Sequence, residues 1–163
     1  MIAVNKYVNR QHLLQYSLDE QLIHGMRVSN LAYQVAKELA AKVITEKPFE
    51  CISAGMLHDI GKEAVSGDLD DMDAPLIVEE IHYVRLHAQA SYEILKKEGY
   101  KETILLAVRH HHENYDGSGY PDNLSGEAIP LGARIIRVCD VYAALTSDRP
   151  YRQAFESQSA VQL

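Results

Sequence analysis

Apolar residues recur at near-helical spacing along most of the chain. Ser17 and Glu20 form a Ser-x-x-Glu capping box, and Leu22, Met26, Leu31, Val35 and Leu39 follow it at that spacing. They predict a long amphipathic helix ending near Ala41. Pro48 opens a second helix through Cys51, Ala54 and Leu57. Gly61 is its expected stop, because glycine takes positive φ without strain. An acidic loop is expected over Gly67–Asp73, holding Asp68, Asp70, Asp71 and Asp73. A third helix runs from Pro75 or Leu76 to Lys97 and ends at Gly99. A fourth runs from Glu102 to about His112 and leads into a Gly-rich loop, Asn114–Gly126. Pro130 marks the start of a fifth, which reaches about Thr146. No segment alternates like a strand, so the pattern predicts an all-α fold.

Composition adds limits to this picture. At 163 residues, with 47% hydrophobic and 24% charged, the chain suits a single domain over residues 1–163. A net charge of −7 argues against a broad basic face, so no DNA partner is expected. No apolar run approaches the roughly 18 to 20 residues that span a bilayer. Met1–Arg10 lacks the apolar stretch of a signal peptide. A cytoplasmic protein without a membrane segment is therefore expected, with Cys51 and Cys139 as buried, reduced thiols.

Histidine changes the picture more. There are eight, and several stand beside or one turn from a carboxylate: Glu20 with His24, His58 with Asp59, His112 with Glu113. Four residues apart on a helix, Glu20 and His24 share one face. Imidazole and carboxylate are the ligand types for borderline divalent metals, and separate helices can deliver them to one point. Taken singly, each histidine is better explained as a surface or hydrogen-bonded core residue. His12 and His82 stay in that class.

Three ordered motifs go further. His58-Asp59-Ile60-Gly61-Lys62 resembles the signature of the HD superfamily of metal-dependent phosphohydrolases. The run from His111-His112-Glu113 to Gly119-Tyr120-Pro121 is similar to the extended motif of its HD-GYP subfamily. Ala133-Arg134-Ile135, Asp140 and Ser147-Asp148-Arg149-Pro150-Tyr151-Arg152 resemble the next block. Together the motifs cover the chain from about Glu20 to Arg152.

The resemblance implies a helical bundle of the HD type with a bi- or trinuclear metal site in its core. Its ligands would be Glu20, His24, His58, Asp59, His87, His111, His112 and Asp140. Two or three divalent ions are implied, Fe or Mn in the first place, with Zn or Ni also suited to the donors. Glu20 keeps two readings: with it as a ligand a third ion fits, and with it as a cap the site is binuclear. The implied reaction is hydrolysis of cyclic di-GMP to linear pGpG or GMP, by a water that two ions activate toward a pKa of ~7. Asp59 would bridge the ions, and Lys62 would place an ammonium near the developing charge. Gly119, Tyr120, Pro121, Arg149 and Arg152 would face the substrate, and the Gly-Tyr-Pro loop could also receive a signalling partner. The alternative for Lys62 is an exposed cation at a helix end, which the matched motif disfavours, and for Arg149 and Arg152 surface arginines offset by Asp148.

Three features depart from the family pattern. Ala143 stands where a second Asp is usual, one turn beyond Asp140. Glu63-Ala64-Val65-Ser66 and the acidic loop replace a Val-Pro segment and a basic loop. The chain stops at Leu163, where family members continue, which suggests a trimmed domain. These features keep two alternatives in play: an HD phosphohydrolase for another nucleotide or phosphoester, and a degenerate domain that binds without turnover.

Overall fold

The structure is a computed structural model that describes residues 18–41, 48–69, 76–148 and 152–162. Seven α-helices are found among them: α1 (Leu18–Ala40), α2 (Pro48–Leu57), α3 (Gly61–Leu69), α4 (Leu76–Lys97), α5 (Glu102–Arg109), α6 (Leu131–Leu145) and α7 (Ser157–Gln162). A 3₁₀ turn, Gly126–Ala128, interrupts the loop before α6, and the described residues contain no strand. The all-α expectation holds. No helix among the described residues is long and apolar enough to cross a membrane.

Small residues set how closely the helices approach. The buried stripe of α1 is Val28, Ala32 and Ala36, not the larger apolar residues of the expected face. Leu22, Met26 and Val35 are exposed, while Leu31 and Leu39 are half-buried against the core. The reason is backbone contact with α2. A Cβ on Gly25 would lie 2.8 Å from the Met56 carbonyl oxygen, and one on Gly55 would lie 2.8 Å from Ser29 Cα. Side chains of ordinary size would wedge the two helices apart. Ser29 Oγ then donates across the seam to the Ile52 carbonyl at 3.0 Å.

α6 supplies the other wall through Ala133, Ile135, Ile136, Cys139 and Ala143, and α5 fills the space between with Ile104, Leu105, Ala107 and Val108. Cys51 and Cys139 are buried free thiols, as expected. Gly99 ends α4 with φ +78°: its N–H bonds to Lys96 O, and that of Tyr100 bonds to Leu95 O. This is the paired closure by which a left-handed residue satisfies the last carbonyls of a helix.

Three boundaries differ from the sequence expectation. Gly61 starts α3 instead of closing α2, and its φ is not positive. It is glycine because a Cβ there would run into the His87 carbonyl and the Ser91 backbone nitrogen of α4. α3 extends to Leu69 and so takes in the start of the expected acidic loop; residues 70–75 lie outside the described residues. α5 stops at Arg109, three residues short of the expected His112, which frees His110–His112 to turn inward.

Candidate metal centre

His58 and Asp59 occupy the turn between α2 and α3, where Ile60 N bonds to Leu57 O and Lys62 N to Asp59 O. Ser91 on α4 locks this turn. Its hydroxyl accepts from Gly61 N at 2.8 Å and donates to the His58 carbonyl at 2.9 Å, and the side chain is wholly buried. Nothing in the sequence pattern singles out Ser91, yet it ties the His-Asp turn to the helix that carries His87.

Two groups of donor atoms result. Asp59, His87, His111 and His112 form one; His24, His58 and Asp140 form the other, and within each group the donor atoms lie within 4.8 Å of one another. The groups adjoin, because His58 Nε2 stands 3.3 Å from Asp59 Oδ2 and 3.8 Å from Asp140 Oδ1. Asp59 turns one oxygen each way. Its Oδ1 lies 3.2 Å from His87 Nε2 and 4.0 Å from His111 Nε2, whereas Oδ2 meets His58 and, at 2.5 Å, the Lys62 ammonium. Seven of the eight expected ligands are thereby brought together. Glu20 belongs to neither group: it is exposed on the first turn of α1. Ser17, its alternative partner in the capping box, lies outside the described residues.

The donor set suits divalent metal. His58 Nδ1 bonds to Gly55 O at 2.8 Å and His111 Nδ1 to Val108 O at 2.6 Å. A carbonyl only accepts, so each ring carries its proton on Nδ1 and turns the Nε2 lone pair into the cluster. His58 Nε2 and Asp59 Oδ1 are buried without a hydrogen-bond partner. His87 Nε2 stands 3.4 Å from His111 Nε2 and 3.1 Å from His112 Nε2. Imidazole nitrogens and a carboxylate oxygen gathered this closely form a donor set that suits a divalent cation.

Electrostatics reinforce this. Burial would push Asp59 up, but His58, His87 and Lys62 outweigh it and hold the carboxyl well below its usual range. Asp140 is likewise lowered against its burial, chiefly by the hydrogen bond from His24 at 2.9 Å. His112 is pushed down to about 3, first by burial and then by the neighbouring His87. Carboxylates kept charged and an imidazole kept neutral are the ligand forms that metal binding needs.

The Gly-Tyr-Pro loop closes over the histidine pair. A Cβ on Gly119 would collide with Asn114 N, Glu113 Cα and His112 O, so this glycine serves close approach and not the unusual backbone angle expected of it. Gly117 does take positive φ, at +83°. Tyr120 N bonds to His112 O, and the Tyr120 ring stacks on that of His112 with centroids 4.8 Å apart. Glu113, beside the pair, is turned to the loop. Its carboxylate accepts from Asp122 N at 2.7 Å and Leu124 N at 3.1 Å, while Asp122 is gripped by Arg109 and His110.

Two arginines near the cluster carry no motif signal. Arg137 donates to His112 Nδ1 at 3.2 Å and Asn114 Oδ1 at 3.0 Å, and the Arg85 guanidinium lies 5.4 Å from the Tyr120 ring centroid. Of the expected substrate arginines, Arg149 lies outside the described residues. Arg152 spends its donors on the carbonyls of Ala144, Leu145 and Gln153. Ala143 is wholly buried. Its carbonyl accepts from Ser147 Oγ, which in turn accepts from Arg27.

The model of the HD domain family matches residues 9–163. The chain belongs to the HD-domain family. This HD domain is 40% identical over 139 residues to the cyclic di-GMP phosphodiesterase response regulator RpfG of Xanthomonas campestris, covering 83% of this chain and 36% of that protein. It is 36% identical over 151 residues to a cyclic di-GMP phosphodiesterase of Pseudomonas aeruginosa, covering 91% and 36%. The 3′3′-cGAMP-specific phosphodiesterase 3 of Vibrio cholerae is 35% identical over 138 residues, covering 85% and 30%. The chain thus spans about a third of the length of these curated relatives. A crystal structure of a cyclic GMP-AMP-specific phosphodiesterase of V. cholerae shares the fold, with a TM-score of 0.60 at 16% identity over 85% of this chain and 38% of that one.

Proposed function

We propose that this HD domain is the hydrolytic part of a metal-dependent phosphodiesterase that opens a cyclic dinucleotide, cyclic di-GMP in the first place, to linear pGpG or GMP. One observation carries the proposal: the Asp59 carboxylate sits between two adjoining donor groups and turns an oxygen to each. That geometry supports two ions, the first on Asp59, His87, His111 and His112, the second on His24, His58 and Asp140 with Asp59 shared. Glu20, outside both groups, is then a helix-end residue and not a third-metal ligand. Such ions, when bound, supply activation of water and neutralisation of charge at the phosphodiester.

The chain's own residues do the rest. The Gly55 and Val108 carbonyls hold His58 and His111 in the ligand tautomer. Lys62, 36% exposed at the edge of the cluster, keeps Asp59 ionised and reaches a phosphoryl oxygen by swinging from it. Tyr120, stacked on His112 and lying under the Arg85 guanidinium, borders the substrate side of the cluster, with Gly119 and Pro121 beside it in the loop.

The names of the Vibrio relatives favour a second substrate, 3′3′-cGAMP, which differs from cyclic di-GMP in one base. Metal analysis and a product assay test both. Mn- or Fe-loaded protein is expected to carry two ions per chain, with Glu20→Ala carrying the same number, and to convert cyclic di-GMP to a linear product. Faster turnover of 3′3′-cGAMP would select the second substrate. Metal-loaded protein that cleaves neither dinucleotide would overturn the reading.

A further inference from the structure

A cyclic dinucleotide carries two phosphodiesters, and the metal cluster can take only one at a time. The other half of the macrocycle must lie outside the cluster, on a chain whose net charge is −7. Its phosphate needs a local cation. Most candidates beside the site are committed elsewhere. Lys62, beside Asp59, serves the phosphate at the cluster itself, while Arg137 bonds to His112 and Asn114, Arg27 to Ser147, and Arg152 to the carbonyls at the end of α6.

Arg85 is different. It is exposed, and among the described residues its five N–H groups meet no acceptor. Its guanidinium is instead held over the Tyr120 ring, 5.4 Å from the centroid, and that ring stacks on His112 at 4.8 Å. The cation is therefore two ring contacts from the candidate metal ligands, fixed in place without using its hydrogen-bond donors. A guanidinium so held presents its planar fork to an incoming anion, and the fork matches two phosphate oxygens.

We propose that Arg85, poised on Tyr120 at the mouth of the metal cluster, binds the non-scissile phosphate of the cyclic dinucleotide. Arg85 is thus a specificity-determining residue: it distinguishes substrates that have a second phosphodiester from those that do not. This rests on the cyclic dinucleotide reading above.

The test compares Arg85→Ala and Arg85→Lys with the wild type as metal-loaded full chains. Two substrates are used, cyclic di-GMP and bis(p-nitrophenyl) phosphate, which has one phosphodiester and no second half. Loss of a charge-assisted hydrogen bond corresponds to roughly a tenfold change or more. Arg85→Ala is expected to raise KM for cyclic di-GMP by about tenfold with the loss falling on KM more than on kcat. That loss should exceed the loss on bis(p-nitrophenyl) phosphate by a similar factor, and Arg85→Lys should recover part of it. Equilibrium binding of a non-hydrolysable phosphorothioate analogue gives the same comparison without turnover. Equal losses on both substrates, or unchanged KM and analogue affinity, would overturn the role of Arg85 alone. A wild type that cleaves bis(p-nitrophenyl) phosphate but neither binds nor cleaves the dinucleotide would overturn the substrate reading, and this assignment with it.

Discussion

Ser91 is a small residue with two obligations. Its hydroxyl holds the Gly61 N–H and the His58 carbonyl at the base of the His-Asp turn, with no access to water. Ser91→Ala removes both bonds and leaves two buried backbone groups unsatisfied, each costing on the order of 1–3 kcal/mol. We expect a melting temperature lower by several degrees and weaker metal retention, because His58 and Asp59 lose the tether that aims them. Chemical denaturation and metal analysis after dialysis check the two effects; a variant as stable and as metal-replete as the wild type would show that the turn holds itself. Ser91→Thr keeps the hydroxyl but adds a methyl at a site with no exposed surface, so it is expected to fall between the two.

At the scale of elements, the Gly-Tyr-Pro loop and the His-Asp turn share a device: a glycine where backbone meets backbone. Gly119→Ala would set a Cβ against Asn114, Glu113 and His112, atoms that are not the flexible ends of side chains. The loop must lift, and Tyr120 with it. We expect activity on the cyclic dinucleotide to drop by at least tenfold, while far-ultraviolet circular dichroism stays helical; activity within twofold of the wild type would mean that the Tyr120 platform is dispensable. Both glycines stood out in the sequence, but for positive φ, which neither uses. Periodicity conveys which face of a helix is apolar, and it made the long helices and the Gly99 stop legible. It does not convey how near two helices come, so the small-residue seam Gly25, Ser29 and Gly55 was missed and the burial of α1 was assigned to Leu22 and Met26. α3 and α7 were missed for a related reason: nine and six residues are too few turns to declare a period. His58-Asp59 and His111-His112 were legible as contiguous pairs, whereas His24, His87 and Asp140 entered as ligands only through the family resemblance. Ser91, Arg85 and Arg137 were not legible, since each acts through a contact made only by folding.

For the whole molecule, folding keeps uncharged two imidazoles that water would protonate. His111 is pushed well down, by burial and then by His112; His112 is pushed down to about 3, by burial and then by His87. In the unfolded chain both titrate near 6.5. As pH falls below 6.5 the unfolded chain therefore binds protons that the folded one refuses, and folding free energy is lost through that window. His58 works in the opposite sense. Burial opposes its protonation, but the charges of Asp59 and Asp140 prevail and raise it. Its contribution is complete below 6.5 and is lost as pH rises through the raised value, so it adds no further support as acid is added. Asp59 and Asp140, both lowered, keep their contribution until pH drops below the ordinary carboxylate value of 3.8. Of these four shifted groups and His58, it is His111 and His112 whose penalties grow between 6.5 and about 4, and they act together. Chelator-treated protein should lose stability steadily from pH 6.5 to 4.5, as read by urea midpoints. Protein loaded with metal should resist at first and then unfold more abruptly, because protons must displace the ions from the same nitrogens. A chelated protein with a flat profile across this window would mean that His111 and His112 protonate freely in the fold, and that the cluster is open to water instead of sealed by Tyr120.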